Sequence, residues 1–166
     1  MFALPFPDDS FDIATSFNGI WKGCEGALEE AKRVLVPEGR FGVTFWGRFE
    51  RLGLMPYFLK VIELSPASHG TASMDQVDTQ NVIEDMLTAT GFSDVKRGAV
   101  DVVNEWPDVS TAVRALAAAG PSVPAIEAVG YEESCGTVAE VVARLYVNGL
   151  GVRITSEFGW VTARPM

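Results

Sequence analysis

Among the 166 residues, side chains able to do chemistry are sparse, and their spacing narrows what that chemistry can be. The single histidine, His69, lies in the polar stretch Ser65-Pro66-Ala67-Ser68-His69-Gly70-Thr71, so neither a zinc cluster nor a Ser-His-Asp relay is readily built around it. The two cysteines, Cys24 and Cys135, have no CxxC or histidine companion, and in a reducing compartment they read as small buried hydrophobes. No nucleophile elbow is visible, which sets a generic hydrolase aside. The remaining candidates are aromatic: Trp21, Trp46, Tyr57, Phe58 and Trp106. They could form a wall for a flat or apolar small molecule, or they could be ordinary core.

The elements that must position these residues follow from periodicity. Phe6-Pro7-Asp8-Asp9-Ser10 is a turn by composition, and it feeds a strand from Phe11 to Phe17 that stops at Asn18-Gly19. Between Glu25 and Val36 the apolar residues Ala27, Leu28, Ala31, Val34 and Leu35 take one helical face, with Glu29 four residues before Arg33 on the other. Pro37-Glu38-Gly39 closes that helix, and Phe41 to Trp46 reads as a second strand. A strand, a helix and a strand joined tightly form a βαβ unit with parallel strands, so the fold class is α/β.

Further along, a helix is expected from about Thr79 to Thr90, ending at Gly91 as a left-handed cap, and then a strand from Val95 to Val103. Two helical stripes follow, Val109 to Ala117 and Val138 to Tyr146. The last strand runs from Val152 to Thr162, with Val152, Ile154, Phe158 and Trp160 on one parity. The stretch from Leu64 to Ser73 reads as a polar loop. Residues 1–166 read as one domain, with the helical block 107–149 inserted between its last two strands as a cap over one end of the sheet.

Composition excludes several partners. Hydrophobic residues make up 48% and charged residues 21%, the values of a folding globular chain. A net charge of -9, with 13 scattered Lys and Arg, argues against nucleic acid. No apolar run approaches the roughly 20 residues that span a bilayer, and Asp8 and Asp9 sit where a signal peptide wants Lys or Arg, so a cytoplasmic location is expected.

Leu4-Pro5-Phe6-Pro7-Asp8-Asp9-Ser10-Phe11-Asp12 and Ala31-Lys32-Arg33-Val34-Leu35-Val36-Pro37-Glu38-Gly39-Arg40-Phe41 together resemble the pattern LPFPDxSFD…EAxRVLxPGGR of class I S-adenosylmethionine-dependent methyltransferases, type 11 group. Leu87 to Val95 is similar to that family's LxxAGFxxV. The resemblance implies the C-terminal half of a Rossmann-like sheet, its fourth, fifth, seventh and sixth strands side by side, with the last strand antiparallel. It also implies that the Gly-rich cofactor turn and the ribose-binding acid belong to the preceding half, so this chain alone would be weak or inactive toward S-adenosylmethionine. Carried over residue by residue, the cofactor wall falls on Met1, Phe17 and Asn18, and the methyl acceptor would touch Trp21, Trp46, Tyr57 and Trp106. Methyl transfer can proceed by positioning and water exclusion, so the want of a catalytic side chain is no objection. The fourth strand would have an unpaired edge open to self-association or to a partner chain, and the alternative to catalysis is an interaction module.

Overall fold

The computed structural model describes residues 1–66 and 81–166; His69 and most of the stretch 64–73 lie outside the described residues. In chain order the elements are β1 (Phe11–Phe17), α1 (Glu25–Val34), β2 (Leu35–Trp46), α2 (Met55–Leu64), α3 (Val82–Ala89), β3 (Phe92–Trp106), α4 (Val109–Ala117), α5 (Val123–Val129), α6 (Tyr131–Ala143), β4 (Tyr146–Val147) and β5 (Gly151–Pro165). The sheet has the order β1-β2-β5-β3, with β4 attached to β5. β1 pairs β2 in parallel and β2 pairs β5 antiparallel. This is the order that the resemblance implies, and β1 is an edge.

Of the described residues, Met1–Arg48, 81–100 and Glu157–Met166 form one compact unit, and 49–66 and Asp101–Ser156 form a second. In the first, the register fixes two faces. Ala14, Phe41 and Ala163 lie on one side with Val43, Val161 and Phe45, and this side is the core, packed by Leu28 and Ala31 of α1 and by Ile83, Met86 and Leu87 of α3. The other side carries Ile13 and Phe17 of β1, Thr44 and Trp46 of β2, and Phe158 and Trp160 of β5.

The turn before β1 is held by one side chain. Arg33 donates from Nη1 to the Phe6 carbonyl at 2.9 Å and to Asp8 Oδ1 at 2.6 Å, and from Nη2 to the Leu4 carbonyl at 3.2 Å. Glu30 accepts from Arg33 Nε at 2.8 Å and from the Leu4 amide at 2.7 Å. The i, i+4 spacing pointed to Glu29 as the companion of Arg33; the ion pair is made instead by Glu30, three residues before it. The Arg33 hydrogen bond, with the Leu4 amide, holds the Glu30 carboxyl down at about 2.

Several boundaries differ from the sequence reading. α1 ends at Val34 and β2 starts at Leu35, because Pro37-Glu38-Gly39 is not a helix stop but an irregularity within β2, where the pairing jumps from Phe11–Leu35 to Ile13–Arg40. β3 extends to Phe92–Trp106. The stripe expected to reach Tyr146 breaks at Ala143, and Tyr146 and Val147 pair with Val152 and Gly151 instead. α2 was not read from the sequence at all. α3 ends at Ala89 with Thr90 as its cap, and Gly91 follows in the left-handed region at φ +83, the conformation that the cap reading required.

β5 does not bury a single parity. Val152, Ile154 and Ser156 are buried in the second unit, whereas Val161 and Ala163 are buried in the first. The buried side switches at Ser156–Glu157, where the strand passes from one unit to the other, so Trp160 is left 37% exposed.

In the second unit, Asp108 caps α4 by accepting from the Thr111 amide at 2.7 Å. α2 opens with Pro56 in its first turn and buries Met55, Tyr57, Phe58 and Val61. No helix among the described residues is long and apolar enough to cross a membrane.

Candidate functional site

The parallel pair β1 and β2 sets the chemistry-bearing end of the first unit. In open α/β sheets, ligands bind beyond the carboxyl ends of the strands, where side chains and turns project clear of the ladder. Here β1 ends at Phe17, opposite Thr44, and β2 ends two residues later at Trp46.

Phe17 is 76% exposed. Asn18 follows in the left-handed region at φ 51, a conformation that Asn tolerates, and its amide donates to the Thr44 carbonyl at 2.9 Å. That bond pins the exit of the chain from β1. The turn then buries Ile20, exposes Trp21 and brings the Cys24 amide onto the Trp21 carbonyl at 3.0 Å. α1 begins at this end of the sheet, since it returns the chain to Leu35 beside Phe11. The Phe2 ring lies against Gly26 in the first turn of α1, which brings Met1 to the same end. Met1, Phe17, Asn18, Trp21 and Trp46 thus share one end of the unit. Trp46 is half-buried, its ring 4.9 Å from Phe158 at a 33° tilt.

Tyr57 and Trp106 belong to the second unit. Tyr57 is buried, its hydroxyl 3.1 Å from the Leu116 carbonyl and 2.8 Å from Ser122 Oγ, and burial pushes its pKa up. Its ring lies 5.1 Å from that of Phe58. Trp106 is half-buried at the last residue of β3, with its carbonyl close against Gly151.

One pair was missed by the sequence reading. Glu157 is 8% exposed at its side chain, and Arg48 binds it in a fork, Nε to Oε1 at 3.1 Å and Nη2 to Oε2 at 3.0 Å. The Gly47 amide donates to the Glu157 carbonyl at 2.9 Å, so the pair closes the carboxyl end of β2 onto β5. Its sequence signal is that Glu157 is the single acid of the last strand. The described residues hold no His, Cys, Asp and Glu group able to bind a metal ion.

Phe17 offers a ring, and the Asn18 turn offers a polar side chain beside it.

Residues 1–43 match the family model described as a methyltransferase domain. No curated protein matches the chain in sequence. Solved structures match along nearly the whole of it. The YcgJ protein of Bacillus subtilis superposes with a TM-score of 0.55 at 16% identity, covering 99% of this chain and 68% of that one. A putative methyltransferase from Bacillus halodurans gives 0.54 at 15% identity, with 99% and 69% covered. A loganic acid methyltransferase solved with SAH gives 0.60 at 13% identity, with 99% and 64% covered. The chain spans about two thirds of the length of each of these proteins. The resemblance to class I S-adenosylmethionine-dependent methyltransferases therefore holds in sequence over residues 1–43 and in fold over the chain, which carries the strand order and parallel-then-antiparallel pairing of that fold.

Proposed function

We propose that the chain is the acceptor-side portion of an S-adenosylmethionine-dependent methyltransferase acting on a small molecule, and that its cofactor site is completed by a Gly-rich segment outside these residues. The reading takes residues 1–166 as one partial methyltransferase domain with the helical block 107–149 inserted in it. The observation that carries it is the pairing of an open edge with an exposed wall. Among the described residues β1 has a neighbour on one side only, and Phe17 and Asn18 stand at its carboxyl end. A strand added beside β1 would bring its own carboxyl-end turn next to Phe17, where Gly-rich turns bind phosphates and nucleosides. In this reading Phe17 and Asn18 border the cofactor, Met1 lies at its adenine end, and Trp21 and Trp46 shape an apolar acceptor. The loganic acid methyltransferase is named for a small-molecule acceptor, which supports that class. A cytoplasmic location belongs to the same proposal.

Calorimetry with S-adenosylhomocysteine on the 166-residue chain, alone and with the polypeptide encoded immediately upstream, tests it. Binding that requires the second polypeptide supports the reading, and no binding in either arm overturns it.

A second reading is favoured by a different observation. Ile13 is 65% exposed, on the same face as Phe17 and Trp160, so a parallel pair that is normally covered on both faces lies bare on one. A non-catalytic interaction module would use this face and the β1 edge for a partner or a second copy. It predicts association without cofactor binding. A strictly monomeric species across the micromolar range in light scattering counts against it.

A further inference from the structure

The second unit contains a cleft that neither reading uses. α2 and α6 pack together and leave between them a cavity of about 340 Å³ lined by Pro56, Leu59 and Lys60 on one side and by Val141, Arg144 and Leu145 on the other. Pro56, Leu59 and Lys60 follow the i, i+3, i+4 spacing of one face of α2, while Val141 is in the last turn of α6 and Arg144 and Leu145 follow directly after its end. Four of the six side chains are apolar, and Leu59 is 52% exposed at the opening. The two polar side chains are both cationic. Lys60 Nζ is bonded to Glu63 Oε2 at 2.7 Å, which compensates its charge. The Arg144 guanidinium has no ion-pair partner among the described residues, although the chain carries 22 acidic residues against 13 basic ones.

An apolar slot with an uncompensated planar cation at its mouth is complementary to an anion with an apolar body. Arg favours carboxylates because two parallel N–H donors match the two oxygens. A volume of about 340 Å³ is at the lower end of the range of small-molecule sites, enough for a chain of roughly ten carbons but not for a dinucleotide. We propose that this cleft binds a medium-chain or aryl carboxylate, the carboxylate on Arg144 and the apolar body on Pro56, Leu59, Val141 and Leu145. The site stands independently of methyl transfer, since it needs no cofactor and lies within one unit.

Amide chemical shifts of the isotopically labelled chain, titrated with decanoate below its micelle concentration, test the proposal. Saturable shifts should centre on Leu59, Lys60, Arg144 and Leu145. Decanol, which lacks the charge, and Arg144→Gln, which lacks the fork, should each weaken binding by roughly tenfold or more. Leu59→Glu, at an exposed position that leaves the helix intact, should abolish it. Shifts centred instead on Phe17 and Trp160, affinity unchanged by both substitutions, or no saturable shift would each overturn the proposal.

Discussion

Arg33 Nη1 lies 2.6 Å from Asp8 Oδ1, and through that contact a helix residue fixes the turn that launches the edge strand. The same guanidinium holds the carbonyls of Leu4 and Phe6, and the Asp9 and Ser10 amides donate to the carbonyls of Arg33 and Val34. Asp8 of the first matching block and Arg33 of the second are therefore parts of one clasp.

The clasp has a pH signature. The folded Glu30 carboxyl titrates at about 2 rather than at its ordinary 4.5, held down first by Arg33 and then by the Leu4 amide. A depressed carboxylate pKa stabilises the fold above the unfolded value, and that contribution is lost as pH falls from about 4.5 through 2. Carbon-detected NMR titration of Glu30 should show the low midpoint, and Arg33→Met should return it toward 4.5 while the Asp9 and Ser10 amides lose exchange protection. A midpoint unmoved by Arg33→Met would show that the clasp is not what depresses it.

Tyr57 separates a packing role from an acceptor role. Its hydroxyl is spent on Leu116 and Ser122. Ultraviolet titration should find two of the three tyrosines ionising above the ordinary range, Tyr57 raised by burial and Tyr131 by its hydrogen bond with Cys135, and Tyr57→Phe should remove one of them. Tyr57→Phe should cost about 1 kcal/mol, since Ser122 Oγ still donates to the Leu116 carbonyl at 2.9 Å. Loss of acceptor affinity without loss of stability in that variant would return Tyr57 to the acceptor wall.

The bare face of β1 should be dispensable for folding and not for association. Ile13→Lys and Phe17→Glu are at exposed positions and should change stability by no more than about 0.5 kcal/mol, while Leu28→Ala in the core should cost about 3 kcal/mol. Sedimentation of the wild type against the two surface variants measures the other half. Equal association in all three would place any interface elsewhere.

Gly98 reports the packing of the same face. A Cβ there would collide with the Trp160 indole, so Gly98→Ala should cost about 1–3 kcal/mol and change the near-ultraviolet dichroism of the tryptophans. Rescue of Gly98→Ala by Trp160→Leu would identify the collision as the cause.

What was legible in the sequence was what repeats locally. The stripe of Ala27, Leu28, Ala31 and Val34 declared α1, and the neighbouring blocks declared the strand order. α2 was not legible because Pro56 and Leu59 put apolar side chains on its exposed side and blur the stripe of Met55, Tyr57, Phe58 and Val61. The β5 reading went astray because parity assumes one buried face, and this strand serves two units. At the candidate site, Phe17 and Asn18 came from the resemblance and Trp21 and Trp46 from the aromatic cluster, whereas the Arg48–Glu157 fork depends on β5 lying beside β2, a contact between residues 109 positions apart. The bare face was invisible for the same reason: exposure is a property of what lies on top of a strand, not of the strand.

The most direct test of the central claim is calorimetric titration of S-adenosylhomocysteine into the chain joined or mixed with the upstream-encoded polypeptide, compared with the chain alone and with a Phe17→Ala, Asn18→Ala variant. The account predicts weak or undetectable binding by the chain alone, clear binding once the second segment is present, and a loss of roughly tenfold or more when Phe17 and Asn18 are removed. Strong binding by the isolated chain, or binding in the pair that is indifferent to Phe17 and Asn18, would contradict it.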